Sequence, residues 1–201
     1  MDNKKIRLIV GLGNVGDAYK GTRHNAGFMF VDAVAEKYSG FFQFQKKFNG
    51  ELASIRINSD EVLLLKPSTL MNLSGKAVAP LAGFYKIPAE QILVAHDELD
   101  LPPGVIKLKK GGGSAGHNGL KSIAALLGTP DFERLRIGIG HPRNKNLPIP
   151  VADYVLSKPS VEDRELIEES ISRALGALEE IVEGQLSLAM STINERVDTN
   201  K

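Results

Sequence analysis

Apolar positions along the chain fall into short unbroken runs separated by stretches with helical spacing, the pattern of strands alternating with helices. The run Leu8-Ile9-Val10 predicts a buried strand, and a glycine-rich turn follows it. Phe28, Val31, Val34 and Ala35 then predict a helix over residues 25–38. Residues 41–47 and 51–57 read as shorter strands, the second alternating through Leu52, Ile55 and Ile57. Glu61-Val62-Leu63-Leu64-Leu65 predicts a buried strand ended by Lys66-Pro67. Asn72-Leu73-Ser74-Gly75 predicts a helix entrance with a capping side chain. That helix runs through Val78, Leu81 and Tyr85, with Pro80 kinking it or marking its first turns.

Ile92-Leu93-Val94-Ala95 predicts another buried strand, which ends in His96-Asp97. Residues 105–109 alternate apolar and basic, giving a strand with one wet, positive face. Residues 111–119 read as a loop, followed by a helix through Ile123, Leu126 and Leu127 and a strand over 134–140. The Pro- and Asn-rich segment 142–150 predicts a mobile loop. Ile167, Ile171, Ala174, Leu178 and Ile181 step by three and four, giving one apolar helical stripe. Gly184 predicts a break before a final short helix, and the tail from Asp198 is expected to fray. No repeat or linker divides the chain, so a single α/β domain over residues 1–201 is expected.

Composition narrows the function classes. The 201 residues are 42% hydrophobic and 24% charged, enough for one good core. The absence of cysteine excludes disulfides and thiolate metal sites. No apolar run approaches the roughly 20 residues that span a bilayer, and Met1-Asp2-Asn3-Lys4-Lys5 leads into no signal-type segment. A soluble cytoplasmic protein with no membrane association is therefore expected. The net charge of +1 means that any nucleic-acid site must be a local patch. Lys107 and Lys109 share one face of their predicted strand, and Arg134 and Arg136 share one face of theirs. Were the two strands neighbours, these side chains would form a basic strip that reads phosphate and duplex shape rather than base sequence.

Several motifs lack the context their chemistry needs. Gly11-Leu12-Gly13-Asn14-Val15-Gly16 fits the dinucleotide fingerprint, on which an oxidoreductase would rest. Its helix starts too late, however, and Asp32 lies inside that helix. Gly112-Gly113-Ser114-Ala115-Gly116 fits a nucleophile elbow, but glycines lengthen the loop before Ser114, and His141 precedes Asp153, the reverse of the hydrolase order. The four histidines show no metal-binding spacing on a helix.

A different set shares the ends of elements: His24 after the glycine turn, Asp97 at the end of a strand, and the amides Asn14, Asn72 and Asn118. In an open α/β sheet, ligands bind at the carboxyl edge. A histidine there can take a proton from water, and a carboxylate on its other ring nitrogen fixes its tautomer. Carboxamides can hold a carbonyl or a developing oxyanion. The combination suits acyl transfer to water without a covalent nucleophile.

The chain resembles the bacterial-type peptidyl-tRNA hydrolases over nearly its whole length. The resemblance is carried by Gly11 to Gly16, Thr22-Arg23-His24-Asn25-Ala26-Gly27, Met71-Asn72-Leu73-Ser74-Gly75, His96-Asp97-Glu98-Leu99-Asp100-Leu101-Pro102-Pro103-Gly104, the stretch from Gly111 to Leu120, and Arg136-Ile137-Gly138-Ile139-Gly140-His141-Pro142. It implies a monomeric α/β domain, a mixed twisted sheet with helices on both sides. The implied activity is hydrolysis of the ester joining a peptide to the tRNA 3′ end, which recycles tRNA from stalled translation. No metal or organic cofactor and no obligate protein partner is implied. By motif, His24 resembles the general base, Asp97 its partner, and Asn14 the residue that senses the peptide amide. Asn72 and Asn118 resemble substrate-positioning residues, and Tyr19 and Leu70 match substrate contacts. Asn25, Lys107, Lys109 and Arg136 match tRNA contacts, and His117 is expected to line the same cleft. Val15 stands where proline is frequent in the family, and Leu70 where an aromatic is common. Plant organellar splicing factors share this fold, so an RNA-binding protein without turnover is the alternative that the resemblance itself carries.

Overall fold

The computed structural model describes residues 5–194, so the predicted frayed tail lies outside the described residues. Seven strands form one sheet: β1 (Leu8–Gly11), β2 (Gln43–Gln45), β3 (Gly50–Ile57), β4 (Asp60–Pro67), β5 (Ile92–Glu98), β6 (Ile106–Lys110) and β7 (Glu133–Gly138), in the order β2-β3-β4-β1-β5-β7-β6. The central strands β4, β1, β5 and β7 are parallel, while β3 and β2 on one side and β6 on the other are added antiparallel. The helices are α1 (Ala26–Lys37), α2 (Gly75–Phe84), α3 (Asn118–Leu127), α4 (Val151–Val155), α5 (Val161–Gly176), α6 (Leu178–Val182) and α7 (Leu186–Asn194). The chain is thus a mixed α/β sheet with helices on both faces.

Both faces of β1 and β5 are covered, which is why their sequences read as unbroken apolar runs rather than alternations. Leu8, Val10, Ile92 and Val94 pack with Leu63, Leu65 and the inner faces of α2 and α3. Ile9, Leu93 and Ala95 point the other way, toward α1 and the C-terminal helices. Where β1 and β5 end, the Leu12 N–H donates to the Ala95 carbonyl, and Gly27 of α1 sits on that crossing. A Cβ at Gly27 would lie 2.3 Å from the Ala95 oxygen and 2.5 Å from the Leu12 nitrogen, so only glycine lets α1 start there. Gly11 and Gly13 of the first motif serve the same close packing of strand on helix, since a Cβ there would lie 2.3 Å from the Gly27 oxygen and 2.6 Å from the Phe28 ring, whereas Gly16 has open space around it and a φ of 111°.

The structure departs from the sequence expectations at several elements. The strand expected over 41–47 shrinks to Gln43–Gln45, because a 3-10 turn at Lys46–Phe48 swings Phe48 into the core and leaves Phe41 and Phe44 exposed. β4 ends at Lys66-Pro67 as expected, with both residues inside the strand: Pro67 is its last residue and pairs with Gly50. The entrance to α2 carries no side-chain cap. The residue before it, Ser74, bonds back to Met71, and the Gly75 N–H is satisfied from across the interface by Ser122 Oγ at 2.9 Å. Pro80 lies inside α2 and cannot donate to the Lys76 carbonyl one turn back; the Asn49 side-chain amide does so instead, at 3.3 Å. The apolar stripe of the C-terminal third is buried, but it is carried by two helices that break at Ala177. Within 142–150 the chain forms a 3-10 turn at Pro142–Lys145. Among the described residues, no helix is long and apolar enough to cross a membrane.

Candidate active site

Asp97, at the end of β5, accepts hydrogen bonds from two imidazoles. His24 stands on the 3-10 turn Arg23–Asn25 that leads into α1, and its Nδ1 lies 2.8 Å from Asp97 Oδ2. His117 precedes α3, and its Nε2 lies 2.8 Å from Asp97 Oδ1. The protons can be assigned from these partners. His117 Nδ1 accepts the backbone N–H groups of Gly119 (3.1 Å) and Leu120 (3.4 Å), capping α3, so its hydrogen must sit on Nε2, facing the carboxylate. An ionised carboxylate only accepts, so His24 carries its hydrogen on Nδ1 and leaves Nε2 as a bare lone pair. The two histidines therefore hold opposite tautomers on either side of one carboxylate.

The Asp97 side chain is 2% exposed. Burial pushes its carboxyl upward, but attraction and hydrogen bonding from His117 and His24 outweigh that and hold it well below the usual carboxylate range. Asp97 thus stays charged as a fixed acceptor. Ligand atoms of His24, Asp97 and His117 lie within 4.8 Å of one another. The nitrogens that face Asp97, His24 Nδ1 and His117 Nε2, are each proton donors to their own carboxylate oxygen, so a cation held between them would have to displace both hydrogens. The geometry is that of a hydrogen-bonded relay.

Behind this pair lies a third imidazole that the sequence did not mark. His96 is 2% exposed, stacks edge-on against His117 at 5.2 Å, and donates from Nδ1 to the Asp97 carbonyl at 2.8 Å. Burial, then the neighbouring His117, lowers its pKa from 6.5 to about 3. The folded protein therefore keeps His96 neutral where the unfolded chain protonates it. The unfolded state binds more protons between those two values, so stability is lost as pH falls through that window. At pH 4.5 the loss is on the order of 2–3 kcal/mol relative to pH 7. Urea unfolding at the two pH values should show a smaller acid loss for His96→Asn than for the unmodified protein; equal losses would remove His96 as its source.

The cleft into which His24 opens has a volume of about 570 Å³ and includes Asn14, Asn118 and Met71 in its walls. Asn14 is held there by its backbone: Asn25 Oδ1 accepts the Asn14 N–H at 2.7 Å and Asn25 Nδ2 donates to the Asn14 carbonyl at 3.0 Å. Asn25, expected among the tRNA contacts, is 5% exposed with both amide atoms so engaged. Asn118 is the first residue of α3 and is exposed. Asn72 is also exposed, on the 3-10 turn Met71–Leu73 whose Met71 lines the cleft. Tyr19 and Leu70 are exposed outside the cleft wall.

The basic strands are neighbours: Lys107 pairs with Arg136 and Lys109 with Arg134. Lys107 and Lys109 are exposed, and Arg136 is bound through Nε to Glu98 at 2.7 Å. Arg134 does not join a solvent-facing strip. It is 2% exposed, and its guanidinium donates to the Gly112 and Gly113 carbonyls at 2.8 and 2.6 Å, fastening the glycine loop. Setting like charges opposite one another is unfavourable, and the Glu98 carboxylate and these carbonyls offset it.

The sequence also missed the far wall, formed by His141 with Val151, Ala152, Val155 and Leu156. Arg23, beside the base, ties this wall in: its guanidinium lies over the Tyr154 ring at 3.9 Å and donates to the Tyr154 carbonyl at 3.0 Å. Three apolar residues on a five-residue helix and a fourth just past its end are too short a pattern to register as a motif.

The model of the peptidyl-tRNA hydrolase family matches residues 8–201. The peptidyl-tRNA hydrolase of Neisseria gonorrhoeae is 54% identical over 180 residues, covering 90% of this chain and 92% of its own. That of a serogroup A Neisseria meningitidis strain is 52% identical over 191 residues, covering 95% and 98%. The crystal structure of peptidyl-tRNA hydrolase from Acinetobacter baumannii matches with a TM-score of 0.90 at 48% identity, over 97% of this chain and 96% of that one.

Proposed function

Because this chain belongs to the peptidyl-tRNA hydrolase family, we propose that it cleaves its substrate through a water molecule deprotonated by His24. The reaction is hydrolysis of the ester between peptide and tRNA. The observation that supports the His24 assignment is the pair of opposed tautomers at Asp97, which leaves His24 Nε2 bare in a cleft that Asn14 and Asn118 also line.

His24 Nε2 takes a proton from water, and the resulting hydroxide adds to the ester carbonyl carbon. The imidazolium so formed is stabilised by the Asp97 carboxylate, which keeps its charge throughout. The carboxamide N–H groups of Asn118 and Asn72 position the ester and its developing oxyanion. Asn14, held by Asn25, senses the peptide amide that an unblocked aminoacyl group lacks. Collapse of the intermediate breaks the bond to the ribose oxygen, which recovers the proton from His24, leaving free tRNA and a peptide carboxylic acid that ionises by releasing its proton to solvent. Lys107, Lys109 and Arg136 hold phosphates on the tRNA, and Tyr19 and Leu70 meet its acceptor end. The enzyme acts as a cytoplasmic monomer without metal, organic cofactor or obligate protein partner.

The test is release of tRNA from N-acetyl-aminoacyl-tRNA by the purified protein in excess chelator, with aminoacyl-tRNA as the control. Turnover of the first and sparing of the second are expected. Binding of tRNA without any release would turn the reading to an RNA-binding protein, and loss of rate with chelator would introduce a metal.

A further inference from the structure

His141 is among the polar side chains that line the cleft and that the reaction above does not use. His141 caps the 3-10 turn Pro142–Lys145, its Nδ1 accepting the Arg143 N–H at 3.1 Å. A backbone N–H can only donate, so the hydrogen of the neutral ring sits on Nε2, which has no protein partner among the described residues. The neighbouring wall residues Val151, Ala152, Val155 and Leu156 are apolar. Asn14, His24, Asp97, His117 and Asn118 line the same cleft. The cleft lining therefore combines the polar groups of the reaction with an apolar set, Val151, Ala152, Val155 and Leu156, that lies close in sequence to a ring N–H donor of fixed tautomer.

We propose that His141 is a specificity-determining residue that donates its Nε2–H to the backbone carbonyl of the bound peptide two residues upstream of the one esterified to tRNA, a carbonyl that a tripeptide has and an N-acetyl-aminoacyl group lacks. The inference rests on reading the cleft as the peptidyl-tRNA site. A carbonyl is the acceptor that fits, because the Nε2 site is donor-only and the peptide presents a carbonyl at every residue whatever its sequence. The apolar wall accepts side chains without selecting among them, so a single donor to the main chain lets the enzyme favour longer peptides while remaining indifferent to their composition. The fixed tautomer gives the contact direction: the Arg143 N–H holds the ring from behind, and the donor does not have to reorient on binding.

The two halves of the ring separate cleanly by mutation. His141→Asn places a carboxamide oxygen where Nδ1 was, keeping the cap on Arg143 but removing the far donor. His141→Gln places an amide N–H near the position of Nε2 and gives up the cap. Measure kcat/KM on N-acetyl-aminoacyl-tRNA and on a tripeptidyl-tRNA ending in the same amino acid. His141→Asn should lower kcat/KM for the tripeptidyl substrate about three- to tenfold more than for the N-acetyl substrate, the effect of one hydrogen bond. His141→Gln should preserve the wild-type ratio. A ratio unchanged by Asn, or reduced by Gln and not by Asn, would overturn the proposal and leave His141 a structural cap. If the unmodified protein hydrolyses neither substrate, the reading of the cleft fails instead, so the two failures are distinguishable.

Discussion

Replacing His24 with alanine should slow single-turnover hydrolysis of N-acetyl-aminoacyl-tRNA by about 100- to 10,000-fold, the range over which a positioned general base contributes. The loss should fall on the chemical step. The His24 side chain is 16% exposed at the cleft, and its one protein hydrogen bond is to Asp97. Its removal uncovers no core, and Asp97 keeps the donor from His117. The cations assigned to tRNA lie on β6 and β7, so affinity for tRNA should change little. Near-full activity in a folded variant that still binds tRNA would remove His24 from the mechanism.

Asp97→Asn should be nearly as damaging, again about 100-fold or more, although the substitution is almost isosteric. The reason lies with His117. Its Nδ1 is committed to the Gly119 and Leu120 N–H groups, so its Nε2 must remain a donor. It will claim the one oxygen of an asparagine at position 97. The asparagine NH₂ then faces His24 and demands an acceptor at Nδ1, which moves the hydrogen to Nε2 and blocks the base with its own proton. The second variant His117→Asn should partly restore activity in the Asp97→Asn background, because the oxygen is no longer claimed. A single-turnover series over the four proteins checks this, and purely additive losses would count against tautomer control.

The fold was legible in the sequence wherever burial is two-sided or periodic. β1, β4 and β5 announced themselves as apolar runs, and α1 by its spacing. The failures share a cause: the deciding partner is distant in sequence. The Lys76 carbonyl freed by Pro80 is met by Asn49, and α2 is capped by Ser122 rather than from its own first turn. Arg134 alternates with Arg136 on one strand face, yet one is buried against loop carbonyls and the other faces Glu98. Periodicity gives a side chain's face and not what waits there. In the same way, the placement of His24 and Asp97 at element ends could be read from the chain. The role of His96 behind them, and the apolar wall that Arg23 draws in through Tyr154, required the packed structure.

The central claim is that Asp97 holds His24 with its hydrogen on Nδ1 and a free lone pair on Nε2. Nitrogen NMR of the imidazole rings, in protein labelled on histidine, reads this directly. At a pH where the rings are neutral, His24 should show a protonated Nδ1 and a bare Nε2, while His117 shows the reverse. If His24 instead carries its proton on Nε2, it cannot accept one from water there, and the mechanism proposed for this site is wrong.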